Sequence, residues 1–130
     1  EADRSFGMLL DTLRFTMERR RTLVVASGDL AHVGPAFGDA TPLGAEQRAQ
    51  LKSADGPSLD AIRRGDAVAF FQGLKEEEDR RRVCGITPIY LAMQLLGGNV
   101  SGTVTDYAQC PADIDGGSLV SIAGAVWRKS

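Results

Sequence analysis

The stretch VVASGDLAHVGPAFGD, residues 24–39, places an apolar run directly before a loop rich in glycine. The segment 22–27, which begins two residues before this stretch, is short, apolar and β-branched. This pattern predicts a buried strand covered on both faces. The loop that follows contains Asp29 and His32, the only histidine in the chain. Because ligands bind beyond the carboxyl ends of strands in open α/β sheets, this loop is the first candidate site.

Apolar residues at helical spacing predict the helices in the first two thirds of the chain. An amphipathic helix is predicted over residues 3–20. Two more are predicted over residues 59–82, joined near Asp66, a residue type that favours helix N-caps. The Gly-Pro-Ser tripeptide at 56–58 predicts a break before them, with residues 43–53 as a loose helix or a surface connection.

The last third of the chain predicts one helix and two strands. The helix covers residues 88–96, with Thr87 as its N-cap and Gly97 as its stop. Residues 101–108 and 118–127 are rich in valine, isoleucine and aromatic residues, which indicates strands. A helix, a strand, further helices and then strands are typical of an α/β domain, so we expect a sheet with helices on both sides.

The composition is that of a single globular domain over residues 1–130, with 43% hydrophobic and 25% charged residues. The net charge is −2, with lysine and arginine scattered among acidic residues, which argues against a nucleic-acid partner. No apolar run approaches the roughly 20 residues that cross a bilayer, and the first residues do not resemble a signal peptide. We therefore expect a cytoplasmic protein with no membrane partner and with reduced cysteines.

A charge run, EEEDRRR over residues 76–82, ends the helix predicted before the second candidate segment. Each glutamate precedes an arginine by four residues, the helical spacing at which ion pairs add about 0.2–0.5 kcal/mol. We therefore interpret the run as a solvent-exposed helix face and not as a recognition site.

Three residues are candidates for chemistry. Asp29 and His32 could converge on a cation, or the carboxylate could orient the imidazole. Cys84 lies just before the helix predicted over 88–96, where free N–H groups and the helix dipole favour a thiolate, which is both a nucleophile and a metal ligand. Cys84 could equally fill a small buried apolar site. The loop glycines Gly28, Gly34 and Gly38 would allow positive φ angles or close approach of the backbone to a ligand, but they do not match phosphate-binding patterns.

Three segments, VVASGDLAHVGPAFGD, RRRVCGITPIYLAMQLLGG and TDYAQCPADIDGGSLVSIAGAVW, together resemble the C-terminal half of the MEMO family. Its bacterial and archaeal members are called AmmeMemoRadiSam system protein B. The patterns SGDxxHxG and RxCGxxPI carry the resemblance. The family is similar in fold to the class III extradiol dioxygenases (LigB-like). The resemblance therefore implies an αβα sandwich with a mixed, mostly parallel sheet flanked by helices, incomplete in this chain.

The resemblance also implies a metal site that uses Asp29, His32 and Cys84 as ligands and catalytic groups, with two further histidines from an N-terminal half that is absent here. One histidine, one cysteine and one aspartate could bind iron, copper or zinc. The resemblance implies a dioxygenase-like oxidoreductase of unknown substrate, inactive as this portion alone. The implied partners are that N-terminal half and proteins of the AMMECR1 and radical-SAM types. An open sheet edge would in addition favour a homo-oligomer.

Two other functions stay open at this point. The same pocket could hold an anionic group at the helix N-terminus, which would make the chain a peptide-binding or phosphopeptide-binding module without chemistry. Alternatively, His32 could activate Cys84, which would make it a Cys-His nucleophilic enzyme.

Overall fold

The computed structural model describes residues 2–98 and 100–129, and these residues form an α/β fold, as the sequence predicts. Within them, four α-helices and three strands follow in the order α1, β1, α2, α3, α4, β2 and β3, with a single 3-10 turn at Pro35–Phe37. The helices are α1 (Ala2–Arg19), α2 (Ala45–Arg64), α3 (Ala67–Glu76) and α4 (Ile86–Leu96). The strands are β1 (His32–Val33), β2 (Val100–Pro111) and β3 (Leu119–Lys129).

The sheet has the strand order β1, β3, β2, and both strand pairs are antiparallel. The implied mixed, mostly parallel sheet is therefore wrong for the described residues. For β2 and β3 the physical reason is their short connection, because a short turn can join antiparallel strands whereas parallel strands need a long crossover. The strands predicted over 101–108 and 118–127 are confirmed and form this hairpin.

The strand predicted over residues 22–27 is wrong. Pairing with β3 begins only at Leu30, whose N–H donates to the Ser121 carbonyl at 2.9 Å. Before that point, a cavity of about 360 Å³ lies between the segment and the end of β3. Leu23 and Val25 are 86% and 75% exposed. A strand needs a neighbour for its backbone hydrogen bonds, and none of the described strands supplies one here.

The helices cover one face of the sheet. On that face, Tyr107 and Trp127 pack against a buried cluster that α2, α3 and α4 supply. The other face is open, and it carries exposed side chains at Ile122 and Val126. The expectation of helices on both sides is therefore wrong for residues 2–98 and 100–129. The buried cluster from the helices includes Leu59, Ile62, Phe70, Leu74, Ile89 and Met93.

Helix α2 runs through the tripeptide at 56–58, so the predicted break is wrong. Proline removes one helical hydrogen bond, but α2 buries Leu51 before the proline and Leu59 and Ile62 after it. Burial of these apolar side chains outweighs the local preference of the tripeptide. Residues 43–53, expected to be a loose helix or a surface connection, are helical from Ala45 onward as part of α2.

Most of the predicted end residues of α3 and α4 agree with the structure. Asp66 is the N-cap of α3, as predicted, and its side chain accepts a hydrogen bond from the Ala69 N–H at 2.9 Å. Helix α4 ends before Gly97, as predicted, but it begins with Gly85 as its N-cap, so the prediction for Thr87 is wrong. None of the helices in the described part of the chain has both the length and the apolarity to cross a bilayer.

Candidate metal site

The structure brings the three candidate side chains together at one point of the surface. Asp29 lies in the loop that enters β1, His32 is the first residue of β1, and Cys84 lies in the turn that enters α4. Each offers one ligand atom, and these atoms all lie within 4.8 Å of one another. Cys84, 55 positions after Asp29 in the sequence, thus joins Asp29 and His32 in one cluster of carboxylate, imidazole and thiol.

Two glycines allow the loops that carry these side chains to meet. A Cβ atom at Gly28 would lie 2.6 Å from the Cα of Gly85, and one at Gly85 would lie 2.7 Å from the Asp29 carbonyl oxygen. The Gly85 N–H donates to that carbonyl at 2.8 Å. Gly28 therefore lies against the residue after Cys84, and the approach of its backbone to a ligand stays a prediction.

Cys84 is exposed, so the alternative that it fills a buried apolar site is wrong. Its sulfur accepts a hydrogen bond from the Asp29 N–H, with a nitrogen-to-sulfur distance of 3.1 Å. This contact holds the sulfur beside the Asp29 backbone. Cys84 itself lies two residues before the first residue of α4. Both cysteines are free thiols, as expected, and Cys110 is not part of the cluster.

The hydrogen bond at Nδ1 fixes the tautomer of neutral His32. Nδ1 lies 2.9 Å from the carbonyl oxygen of Arg82, and a carbonyl can only accept, so Nδ1 carries the proton. Nε2 keeps its lone pair and lies 3.7 Å from Oδ2 of Asp29. The edge of the ring also meets Phe37, with ring centroids 5.1 Å apart. The atom that could bind a metal therefore points toward the cluster.

The charge run is exposed at Glu76 and at residues 78–80, but beyond Glu76 it is not helical, so the interpretation as a helix face is wrong. Helix α3 ends at Glu76, and Arg81 and Arg82 turn toward the molecule. The Arg81 carbonyl accepts from the His32 N–H at 2.7 Å, and the Arg82 guanidinium donates to the His32 carbonyl at 3.1 Å. The guanidinium also pairs with Asp39 at 2.6 Å and holds the pKa of that carboxyl below its usual range.

A buried polar network lies next to this turn. The Arg81 guanidinium forms an ion pair with Asp55, which is 0% exposed, and a second one with Glu77 at 2.8 Å. The hydroxyl of Tyr107 donates to the second Asp55 oxygen at 2.8 Å. Burial raises the pKa of Tyr107 to about 12, so the hydroxyl remains a donor at neutral pH. The network fixes the segment that carries two of the hydrogen-bond partners of His32.

Sequence reasoning missed Asp39, Arg81 and Arg82 as neighbours of the cluster. The available signal was position, because Arg81 and Arg82 come just before Cys84 and Asp39 closes the loop that begins at Asp29. The helical spacing of the charge run instead predicted ion pairs along one helix. It suggested pairs four residues apart, and Glu77 with Arg81 is such a pair. Arg81 also pairs with α2, however, and Arg82 pairs with the histidine loop, residues 29–39.

Comparison with known proteins gives one family match. The model of the family described as Memo-like protein matches residues 3–126. The matched region includes the whole cluster and all of the helices except the first residue of α1. No curated protein matches the chain.

Proposed function

Because the chain belongs to the Memo-like protein family, we propose that Asp29, His32 and Cys84 bind one divalent transition-metal ion. The observation that carries this proposal is the approach of three different donor atoms within 4.8 Å. One thiolate, one imidazole and one carboxylate suit iron, copper or zinc, whereas magnesium and calcium prefer oxygen ligands alone. The donor set therefore fits the group that the family resemblance implies.

The exposure of the cluster supports an open site and not a closed structural one. The side chain of Asp29 is 48% exposed, and Cys84 is exposed as well. Closed structural zinc sites use four protein ligands, whereas sites that perform chemistry keep a position free for water or substrate. A metal ion held there would supply Lewis-acid chemistry to a bound oxygen atom. Asp29, beside Nε2 of His32, would be a ligand or would orient the imidazole.

We propose dioxygenase-like chemistry only for a site with further ligands. Non-haem iron enzymes that activate dioxygen use two histidines and one carboxylate, and this chain has a single histidine. The implied N-terminal half would add histidines, and the open face of the sheet with Ile122 and Val126 is where we place it. The AMMECR1-type and radical-SAM-type partners and the homo-oligomer stay predictions.

Zinc titration of the reduced, metal-free chain by calorimetry tests the metal site. We expect one zinc ion per chain. Cys84→Ser should weaken binding by about 100-fold or more, because losing a ligand costs at least as much as losing its supporting contacts. Cys110→Ser is the matched control, since Cys110 lies outside the cluster, and its zinc affinity should equal that of the unmodified chain.

Two results would contradict the proposal. One is the absence of saturable binding for zinc, iron and copper alike. The other is equal zinc affinity for Cys84→Ser and Cys110→Ser. A chain that binds no metal but whose Cys84 is rapidly alkylated, and only while His32 is present, would instead favour the Cys-His nucleophile.

A further inference from the structure

Arg82 contacts His32 through both its backbone and its side chain. The Arg82 carbonyl accepts a hydrogen bond from Nδ1 of His32 at 2.9 Å. Its Nη1 donates to the His32 carbonyl at 3.1 Å. One residue therefore contacts both the imidazole ring and the backbone of the same histidine.

The backbone of Arg82 adopts a conformation that is uncommon for its residue type. Its φ angle is +53°, in the left-handed region that residues other than glycine rarely enter. In this conformation its N–H donates to the Asp79 carbonyl at 2.8 Å, and the Asp79 side chain accepts from the Val83 N–H at 2.8 Å. Such conformations persist where the surroundings enforce them, and they cluster at functional sites.

Asp39 completes the arrangement from the far end of the histidine loop. Its carboxylate accepts from both terminal nitrogens of Arg82, at 2.6 and 3.3 Å. It also accepts from the Gly34 N–H at 2.7 Å, two residues after the histidine. Asp39 therefore links the guanidinium to the same loop that carries His32, which closes a ring of contacts around that residue.

We propose that Arg82 and Asp39 are positioning residues, which hold neutral His32 in the tautomer with the proton on Nδ1 and present Nε2 to Asp29 and Cys84. The value of this arrangement for metal binding rests on the proposed function, but the tautomer itself does not. A hydrogen bond at one ring nitrogen decides which nitrogen is free to bind a metal. Neither residue touches the metal in this proposal, so both act through the histidine.

Nitrogen NMR of the chain labelled at histidine tests the tautomer directly. The chain has one histidine, so its two ring-nitrogen signals need no further assignment to a residue. In the metal-free chain under mildly alkaline conditions, we expect the signals of the tautomer protonated at Nδ1. Arg82→Ala keeps the backbone carbonyl but removes the guanidinium contacts that hold it against the histidine. It should therefore shift the signals toward the tautomer protonated at Nε2, and it should lower zinc affinity by about 10-fold or more, as the loss of supporting contacts does at other metal sites.

Matched variants separate positioning from charge and from folding. Arg80→Ala removes the same charge from an exposed position in the same turn, and it should change neither the tautomer nor zinc affinity. Asp39→Asn keeps the shape of the side chain and should act in the direction of Arg82→Ala. The double variant should be no worse than Arg82→Ala alone, because the two residues act as a unit. If Arg82→Ala does not fold, Asp39→Asn carries the test.

The failures of the two proposals are distinguishable. An unchanged tautomer in both Arg82→Ala and Asp39→Asn, with zinc still bound, would overturn the positioning role and leave the metal site intact. A tautomer that shifts as expected, in a chain that binds no metal, would support the positioning role and contradict the proposed function. A proton on Nε2 in the unmodified chain would overturn the positioning role at once.

Discussion

Asp55→Ala is expected to lower the free energy of unfolding by about 3–5 kcal/mol, the cost of breaking a buried ion pair from one side. Asp55 is fully buried and pairs with Arg81, whose side chain is only 10% exposed. The substitution leaves a buried guanidinium with one of its two carboxylate partners, and it leaves the Tyr107 hydroxyl without its acceptor. The measurement is the free energy of unfolding from urea denaturation followed by circular dichroism.

The matched control for this prediction is Asp60→Ala in the same helix. Asp60 pairs with Arg63 at 2.7 Å, but both side chains are about half exposed. Exposed ion pairs contribute little, so we expect a change in the free energy of unfolding within about 0.5 kcal/mol. Equal losses for the two variants would show that burial does not set the strength of the Asp55 pair.

The second large effect is expected for Gly28→Ala. The added Cβ would lie 2.6 Å from the Cα of Gly85 and 3.2 Å from its nitrogen, and neither backbone atom can rotate away. The loops must separate, which costs about 1–3 kcal/mol as overpacking does elsewhere. The separation also moves Cys84 away from Asp29 and His32. We therefore expect zinc affinity to fall by about 10-fold or more, the usual scale for lost supporting contacts.

Gly73→Ala is the control, and it is expected to raise the free energy of unfolding where Gly28→Ala lowers it. Gly73 lies inside α3, and a Cβ placed there meets nothing within 4 Å. Alanine is the better helix former, so the variant should gain about 0.5–1 kcal/mol in the free energy of unfolding. Its zinc affinity should be unchanged. A Gly28→Ala variant as stable as the unmodified chain, with full zinc affinity, would contradict the role given to this glycine.

Local signals predicted those parts of the fold in which neighbours in sequence are neighbours in space. Asp66 caps α3, Gly97 follows the end of α4, and the two strands at the end of the chain pair with each other. The segment 22–27 failed because strand formation depends on a distant partner, and its apolar sequence cannot tell whether that partner is present. The tripeptide at 56–58 failed because burial along α2 overrode a local preference.

The sequence predicts which side chains form the candidate site, but not the contacts that hold them together. Asp29, His32 and Cys84 stand out by residue type and by their position beside glycines and a helix start. Their approach depends on contacts between Gly28 and Gly85, which no local pattern encodes. Partners such as Arg81 for Asp55 and Arg82 for Asp39 are set by the tertiary fold, so the charge run could suggest a local pair such as Glu77 with Arg81 but not these distant ones.

The central claim is that carboxylate, imidazole and thiolate meet on one metal ion. X-ray absorption of the zinc-loaded chain tests it most directly, because sulfur and the lighter ligands give separate shells. We expect one sulfur at about 2.3 Å, with nitrogen and oxygen at about 2.0–2.2 Å. The sulfur shell should disappear in Cys84→Ser and remain in Cys110→Ser. A zinc ion surrounded only by nitrogen and oxygen in the unmodified chain, or a sulfur shell that survives Cys84→Ser, would contradict the account.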